Sequence, residues 1–167
     1  ATNIDINGTG SDAGAHGIFI QDDDGVGSFT LTGTNTIDAT GGDGVFIQNA
    51  NATISGLTLG ASSQISGGGI RIANSNAIAN TVSLSDITMG SGGNGDTGDI
   101  AGSGLVVSSA GAGTLTVNLT GTNVIRSTGT ALQVAETGAG TANNLLLSID
   151  NTTFETGSSA ATVSVIG

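Results

Sequence analysis

The side chains able to do chemistry in this chain are few and unevenly spread. Thirteen acids face two arginines, Arg71 and Arg126, one histidine, His16, and no lysine, which gives a net charge of −11. The densest cluster is Asp22-Asp23-Asp24, followed directly by Gly25. Three adjacent carboxylates repel one another, and a calcium ion with oxygen ligands would relieve that repulsion. Neighbours in an extended strand point to opposite faces, so only a tight turn lets more than two share an ion. A solvated acidic corner is the alternative. Asp96 and Asp99 raise the same chemistry within Gly92-Gly-Asn-Gly-Asp-Thr-Gly-Asp-Ile100, which is similar to a calcium-binding Gly-Gly-x-Gly-x-Asp nonapeptide but carries Thr97 at the sixth position. Calcium is the one cofactor these residues suggest. His16 has no second histidine or cysteine to share a zinc ion with. Its place before Gly17 reads as an exposed turn residue.

Charge and composition exclude several functions. A nucleic-acid binder needs cations to neutralise phosphates, and an anionic membrane surface attracts the same cations. The absence of cysteine removes disulfides and thiolate metal sites. No apolar run is long enough to form a transmembrane helix. The chain has 30 glycines and no proline, and charged residues make up only 9% of it. A mean hydropathy of +0.23 argues against disorder.

The elements that must position these groups announce themselves as repeats. Gly17-Ile-Phe-Ile-Gln, Gly44-Val-Phe-Ile-Gln, Gly69-Ile-Arg-Ile-Ala and Gly104-Leu-Val-Val-Ser recur, with weaker copies at Ala131-Leu-Gln-Val-Ala and Ala161-Thr-Val-Ser-Val. Their starts are separated by 27, 25, 35, 27 and 30 residues. Each alternates side chains with the period of a strand. A second block lies between copies: Phe29 to Ile37, Thr53 to Leu59, Val82 to Met89, Leu115 to Ile125 and Leu145 to Phe154. It reads as a strand, a tight Gly/Asn/Asp turn and a third short strand. Asn35 and Asn123 hold equivalent places in two copies of Leu-Thr-Gly-Thr-Asn and are expected to satisfy backbone groups at that turn.

Three short strands in every 25–35 residues predict an all-β fold, a right-handed parallel β-helix (solenoid) of about five coils, spanning 1–167 as a single segment. The absence of proline suits strands hydrogen-bonded on both sides. The longest interval, from Gly69 to Gly104, predicts a loop bulging from one corner. Ile4-Asp-Ile-Asn-Gly and Val163-Ser-Val-Ile-Gly have no polar amphipathic cap, so the expectation is an excerpt of a longer repeat protein or a subunit that stacks on its neighbours.

The Gly-hydrophobic-x-hydrophobic strand, followed by strand, Asn-bearing turn and strand, resembles the pectate-lyase-like superfamily of right-handed parallel β-helices. The Gly/Thr/Asn/Ser/Ala-rich texture is most similar to passenger regions of bacterial autotransporters and large surface adhesins. That resemblance implies a secreted, cell-surface protein acting as structural or adhesive scaffold. Its partners would be neighbouring coils or subunits of the same protein and a host or cell-surface glycan or protein. Lyases of the superfamily use clustered aspartates for calcium and basic residues to hold an acidic polymer. Here only Arg71 and Arg126 are available, and no aspartate cluster flanks Arg126 in sequence. Glycosidase chemistry could use paired carboxylates, but sugar grooves also stack aromatics, and tryptophan and tyrosine are absent. The reading is therefore a non-enzymatic scaffold, with a carbohydrate-active β-helix as the alternative.

Overall fold

The computed structural model describes residues 1–2, 4–7, 14–38, 40–60, 65–90, 100–137, 144–157 and 162–166. Asp96, Asp99 and most of the loop around them lie outside the described residues. Among those described the regular structure is all β. The strands are β1 (Asp5–Asn7), β2 (Ile18–Gln21), β3 (Ser28–Leu31), β4 (Asn35–Asp38), β5 (Val45–Gln48), β6 (Asn51–Leu59), β7 (Ile70–Asn74) and β8 (Asn80–Met89). They continue with β9 (Leu105–Ser109), β10 (Leu115–Thr120), β11 (Asn123–Ser127), β12 (Leu132–Glu136), β13 (Leu145–Ile149), β14 (Thr152–Thr156) and β15 (Val163–Ile166).

Every strand pairing is parallel, and the strands divide between two sheets. The Gly-hydrophobic-x-hydrophobic copies form the six-stranded sheet, ordered β15-β12-β9-β7-β5-β2. The intervening blocks form the nine-stranded sheet, along the path β1-β4-β6-β8-β10-β13 with β3, β11 and β14 beside it. Strands paired in one sheet are thus separated in sequence by strands of the other, an arrangement compatible with a β-helix. The register aligns the motif copies position by position: Ile18 with Val45, Val45 with Ile70, Ile70 with Leu105, and Leu105 with Leu132.

Alternation does the rest. Inward positions such as Ile47, Ile54, Leu84, Leu105 and Leu119 are fully buried and join one apolar cluster fed by both sheets. Fully burying a side chain of this kind contributes about 1.5–3 kcal/mol. Val163, Val165 and Ile166 in the edge strand β15 remain exposed.

The turn within each block depends on residues with positive φ: Gly33 (86°), Gly56 (65°), Asp86 (54°), Gly121 (71°) and Asn151 (44°). These are the residue types that reach the left-handed region most cheaply. In two blocks the structure departs from the expected pair of separate strands. β6 and β8 run through the bend, because Ser55 and Leu57 keep ladder partners on either side of Gly56. The Leu-Thr-Gly-Thr-Asn turns do break their strands, and their asparagines supply the missing partners. Asn35 Nδ2 donates to the Thr32 carbonyl at 3.1 Å, and its Oδ1 accepts the Ile4 amide at 2.8 Å. Asn123 does the same for Thr120 (2.9 Å) and Ile87 (3.1 Å).

Gly56 has a second constraint, since a Cβ there would be driven into the Gly33 carbonyl oxygen of the strand pair alongside. Gly56→Ala should therefore cost roughly 2 kcal/mol or more, about 4–8 °C in melting temperature. The outward Thr53→Ala, read by the same circular-dichroism melt, should change it by about 2 °C or less.

Candidate functional site

Outward positions of the six-stranded sheet fall in rows, because the register is exact from strand to strand. One row runs Phe19, Phe46, Arg71, Val106, Gln133. Beside it, at the turn entering each strand, stands a column in which the carbonyls of Asp43, Gly68, Ser103 and Thr130 each accept the amide of a neighbouring motif glycine. Between the row and the turns lies a groove of about 660 Å³, lined by His16, Asp43, Phe46, Arg71, Val106 and Gln133. Its floor is glycine: Gly41, Gly42, Gly67, Gly68 and Gly102. A Cβ at Gly67 would meet the backbone of Gly42, and one at Gly102 the backbone of Gly67, so neither position admits a side chain.

Asp43 organises this groove. Its side chain is only 5% exposed, and its Oδ2 sits 2.9 Å from Arg71 Nε. Oδ1 accepts the Gly68 amide at 2.9 Å. The space for this carboxylate exists because position 68 is glycine; a Cβ there would lie 2.6 Å from Oδ1. His16 Nδ1 accepts the Asp43 amide at 3.0 Å, which places the proton of a neutral imidazole on Nε2. The His16 ring packs 5.3 Å from Phe46 and 6.0 Å from Phe19, and the two phenylalanines are 5.3 Å apart. The Arg71 guanidinium lies 5.6 Å from the Phe46 centroid. These distances fit tilted aromatic pairs and a cation–π contact.

Arg71 stands at an outward position of β7. Sequence reasoning took His16 for an exposed turn residue, whereas the structure leaves its side chain only 20% exposed and gives it an acceptor role. Asp43 was missed. The signal was present, since Asp43 is the only acid in the turn residues just before a motif glycine. The outward phenylalanines supply an aromatic surface that counting tryptophan and tyrosine does not register.

The acidic corner is built differently. Asp22 Oδ2 accepts the Gly27 amide at 2.7 Å, and Asp24 Oδ1 accepts the Val26 amide at 3.2 Å. Asp23 takes Gln21 Nε2 at 2.6 Å and Asn49 Nδ2 at 2.7 Å. The three carboxylates thus tie down the Asp22–Gly27 turn. Among the described residues no group of three or more His, Cys, Asp or Glu side chains converges to hold a metal. Arg126, which no aspartate cluster flanks in sequence, pairs with Glu155 at 2.8 Å across the β11–β14 ladder. Among the described residues no helix is long and apolar enough to cross a membrane.

A hydrogen bond with the Asp24 carboxyl does most to hold the Asp22 carboxyl below its ordinary 3.8; burial opposes this, and the Gly27, Asp24 and Gly25 amides add to the lowering. The folded turn therefore binds this proton more weakly than the unfolded chain does. Its contribution is present above pH 3.8 and is lost as pH falls through the lowered value. A carboxyl-detected NMR titration should find Asp22 protonating below 3.8. In Gly27→Pro, which lacks the amide, that midpoint should move up. For the groove, a double-mutant cycle of Asp43→Asn and Arg71→Gln should return a coupling of about 1 kcal/mol, modest because the arginine is half exposed.

Compared with protein-family models, curated proteins and solved structures, the chain finds no match in any of the three.

Proposed function

We propose that the chain is a right-handed parallel β-helix of about five coils, each of three short strands, and that it serves as an extracellular structural or adhesive scaffold at a cell surface. One observation carries this reading: equivalent motif positions pair in parallel register all along the six-stranded sheet. A chain that returns to the same position every 25–35 residues lays one unit on the next and grows as a rod. A rod spends its sequence on length and outward surface. Its acidic exterior keeps such a surface soluble and repels nucleic acid.

Calcium at Asp22, Asp23 and Asp24 would serve this scaffold as a brace for the turn. The hydrogen bonds already made by the three carboxylates supply that brace without an ion.

The carbohydrate-active alternative has one favourable observation, the groove with its histidine, aspartate and arginine. Against it, the Asp43 carboxylate is spent on Arg71 and the Gly68 amide, and His16 Nδ1 on the Asp43 amide, so the groove offers no pair of free carboxyl groups for glycoside hydrolysis.

Removing residues 104–130 joins Ser103 to Ala131, which begins the next copy of the same motif. A stack of coils should tolerate this. The shortened chain should melt cooperatively with the same β spectrum and, by small-angle scattering, be shorter by about 4.8 Å. Unfolding would count against the solenoid. Immobilised on beads, the intact chain should retain cells while releasing no reducing sugar from neutral or acidic polysaccharides; turnover of any of them would establish the enzyme instead.

A further inference from the structure

The groove over the six-stranded sheet has the chemistry of a ligand site, and its ligand class can be argued from charge, backbone and aromatic placement. Its length comes from the register. The side chains that line it belong to five successive strands, from His16 beside β2 to Gln133 on β12, so it crosses about 19 Å at a ~4.8 Å strand spacing. An occupant of that shape is an extended chain.

Polyanions fit poorly. The net charge is −11, and the one cation in the groove is already neutralised by Asp43. A polycation finds no unpaired acid there, because Asp43 is the single carboxylate in the lining. An extended peptide gains affinity by adding to a strand edge, but this groove runs across strands whose backbone groups are consumed in ladders on both sides.

What the groove does offer is an apolar platform at one end and neutral polar groups along the rest. Phe19, 51% exposed, and the partly exposed Phe46 face outward from a sheet whose other outward residues are largely small or polar. Exposed aromatic pairs of this kind mark contact sites. Gln133, Ser66, Ser103 and Arg71 Nη1, the guanidinium nitrogen left over once Nε and Nη2 face Asp43, supply donors and acceptors. The glycine floor gives a chain room to lie against backbone.

We propose that this groove binds an uncharged oligosaccharide lying across the strands, with one sugar's apolar face on Phe46 and Phe19 and its hydroxyls on Arg71, Ser66, Ser103 and Gln133. This is the reverse of a site for acidic polymer, which would need free cations or aspartate-held calcium. It deepens the adhesive reading by naming what is gripped, yet depends only on the groove.

With no tryptophan or tyrosine in the chain, binding is best read by NMR. The ¹⁵N-labelled chain would be titrated with cellohexaose, maltohexaose, xylohexaose and chitohexaose, and separately with oligogalacturonate. At least one neutral hexaose should give saturable shifts centred on Gly42, Gly67, Gly68, Gly102 and Arg71 Nε–H, with oligogalacturonate weaker. Phe46→Ala should weaken that binding about tenfold while retaining the amide spectrum elsewhere. Should that variant unfold, Phe46→Leu keeps an apolar side chain, removes the ring and should show the same loss. The proposal is overturned if no neutral hexaose gives saturable shifts, if oligogalacturonate binds tighter, or if a folded Phe46 variant binds as well as the parent. Loss of the glycan together with survival of the 104–130 deletion leaves the scaffold reading intact, so the two claims fail separately.

Discussion

Parallel pairing in constant register is the constraint on which the molecule depends. It holds each residue about 4.8 Å from its counterpart in the strands on either side. Every position must therefore be occupied by something that tolerates its equivalent as a neighbour. Inside, this is easy: Ile18, Val45, Ile70, Leu105 and Leu132 follow one another and bury apolar surface. At corners the requirement becomes steric. Glycine backbones stack where no Cβ fits, as Gly102 does on Gly67. For charge the requirement is electrostatic, because like charges opposite each other in a ladder are destabilising. A chain built this way keeps few charges, and the two arginines both sit beside acids.

The same constraint explains why one buried carboxylate can be tolerated. Asp43 stands in a column whose next members are Gly68 and Ser103, so no second acid stacks on it. Glycine below opens the space, its amide supplies a donor, and Arg71 reaches back from the neighbouring strand. Desolvating a carboxylate is expensive unless it is paired and hydrogen-bonded, and here it is both. The pair spans adjacent strands and so fastens one repeat to the next at the groove's aromatic end.

Much of the fold was legible because repetition multiplies a weak signal. One Gly-hydrophobic-x-hydrophobic strand says little, but six copies in the same order as the intervening blocks imply that the copies pair with each other, and they do. The roles of Asn35 and Asn123 were legible for the same reason. What could not be read was lateral. Nothing in the sequence around Asp43 says that position 71, one repeat onward, will return its guanidinium, or that Glu155 will meet Arg126. These partners are 28 and 29 residues apart. Predicting them requires the exact register, and a one-residue slip would move them to opposite faces. The continuity of β6 and β8 through their bends was hidden likewise, since Gly56 and Asp86 look like strand breakers until the ladder on either side is known.

Register also decides where a contact surface can arise on such a molecule. A row of outward side chains crosses the strands, so neighbours in the row come from different repeats and can be varied one at a time without disturbing the core. Phe19, Phe46, Arg71, Val106 and Gln133 are such a row: two aromatics, a tethered cation, an aliphatic and an amide, each flanked on its strand by inward aliphatic residues. The glycine corners beside them cannot vary, because their backbones touch. A variable ridge next to an invariant floor makes a groove whose depth is set by the fold and whose chemistry is set by single substitutions. Core packing and outward chemistry are thereby assigned to opposite faces of the same strands, and either can change while the other is kept.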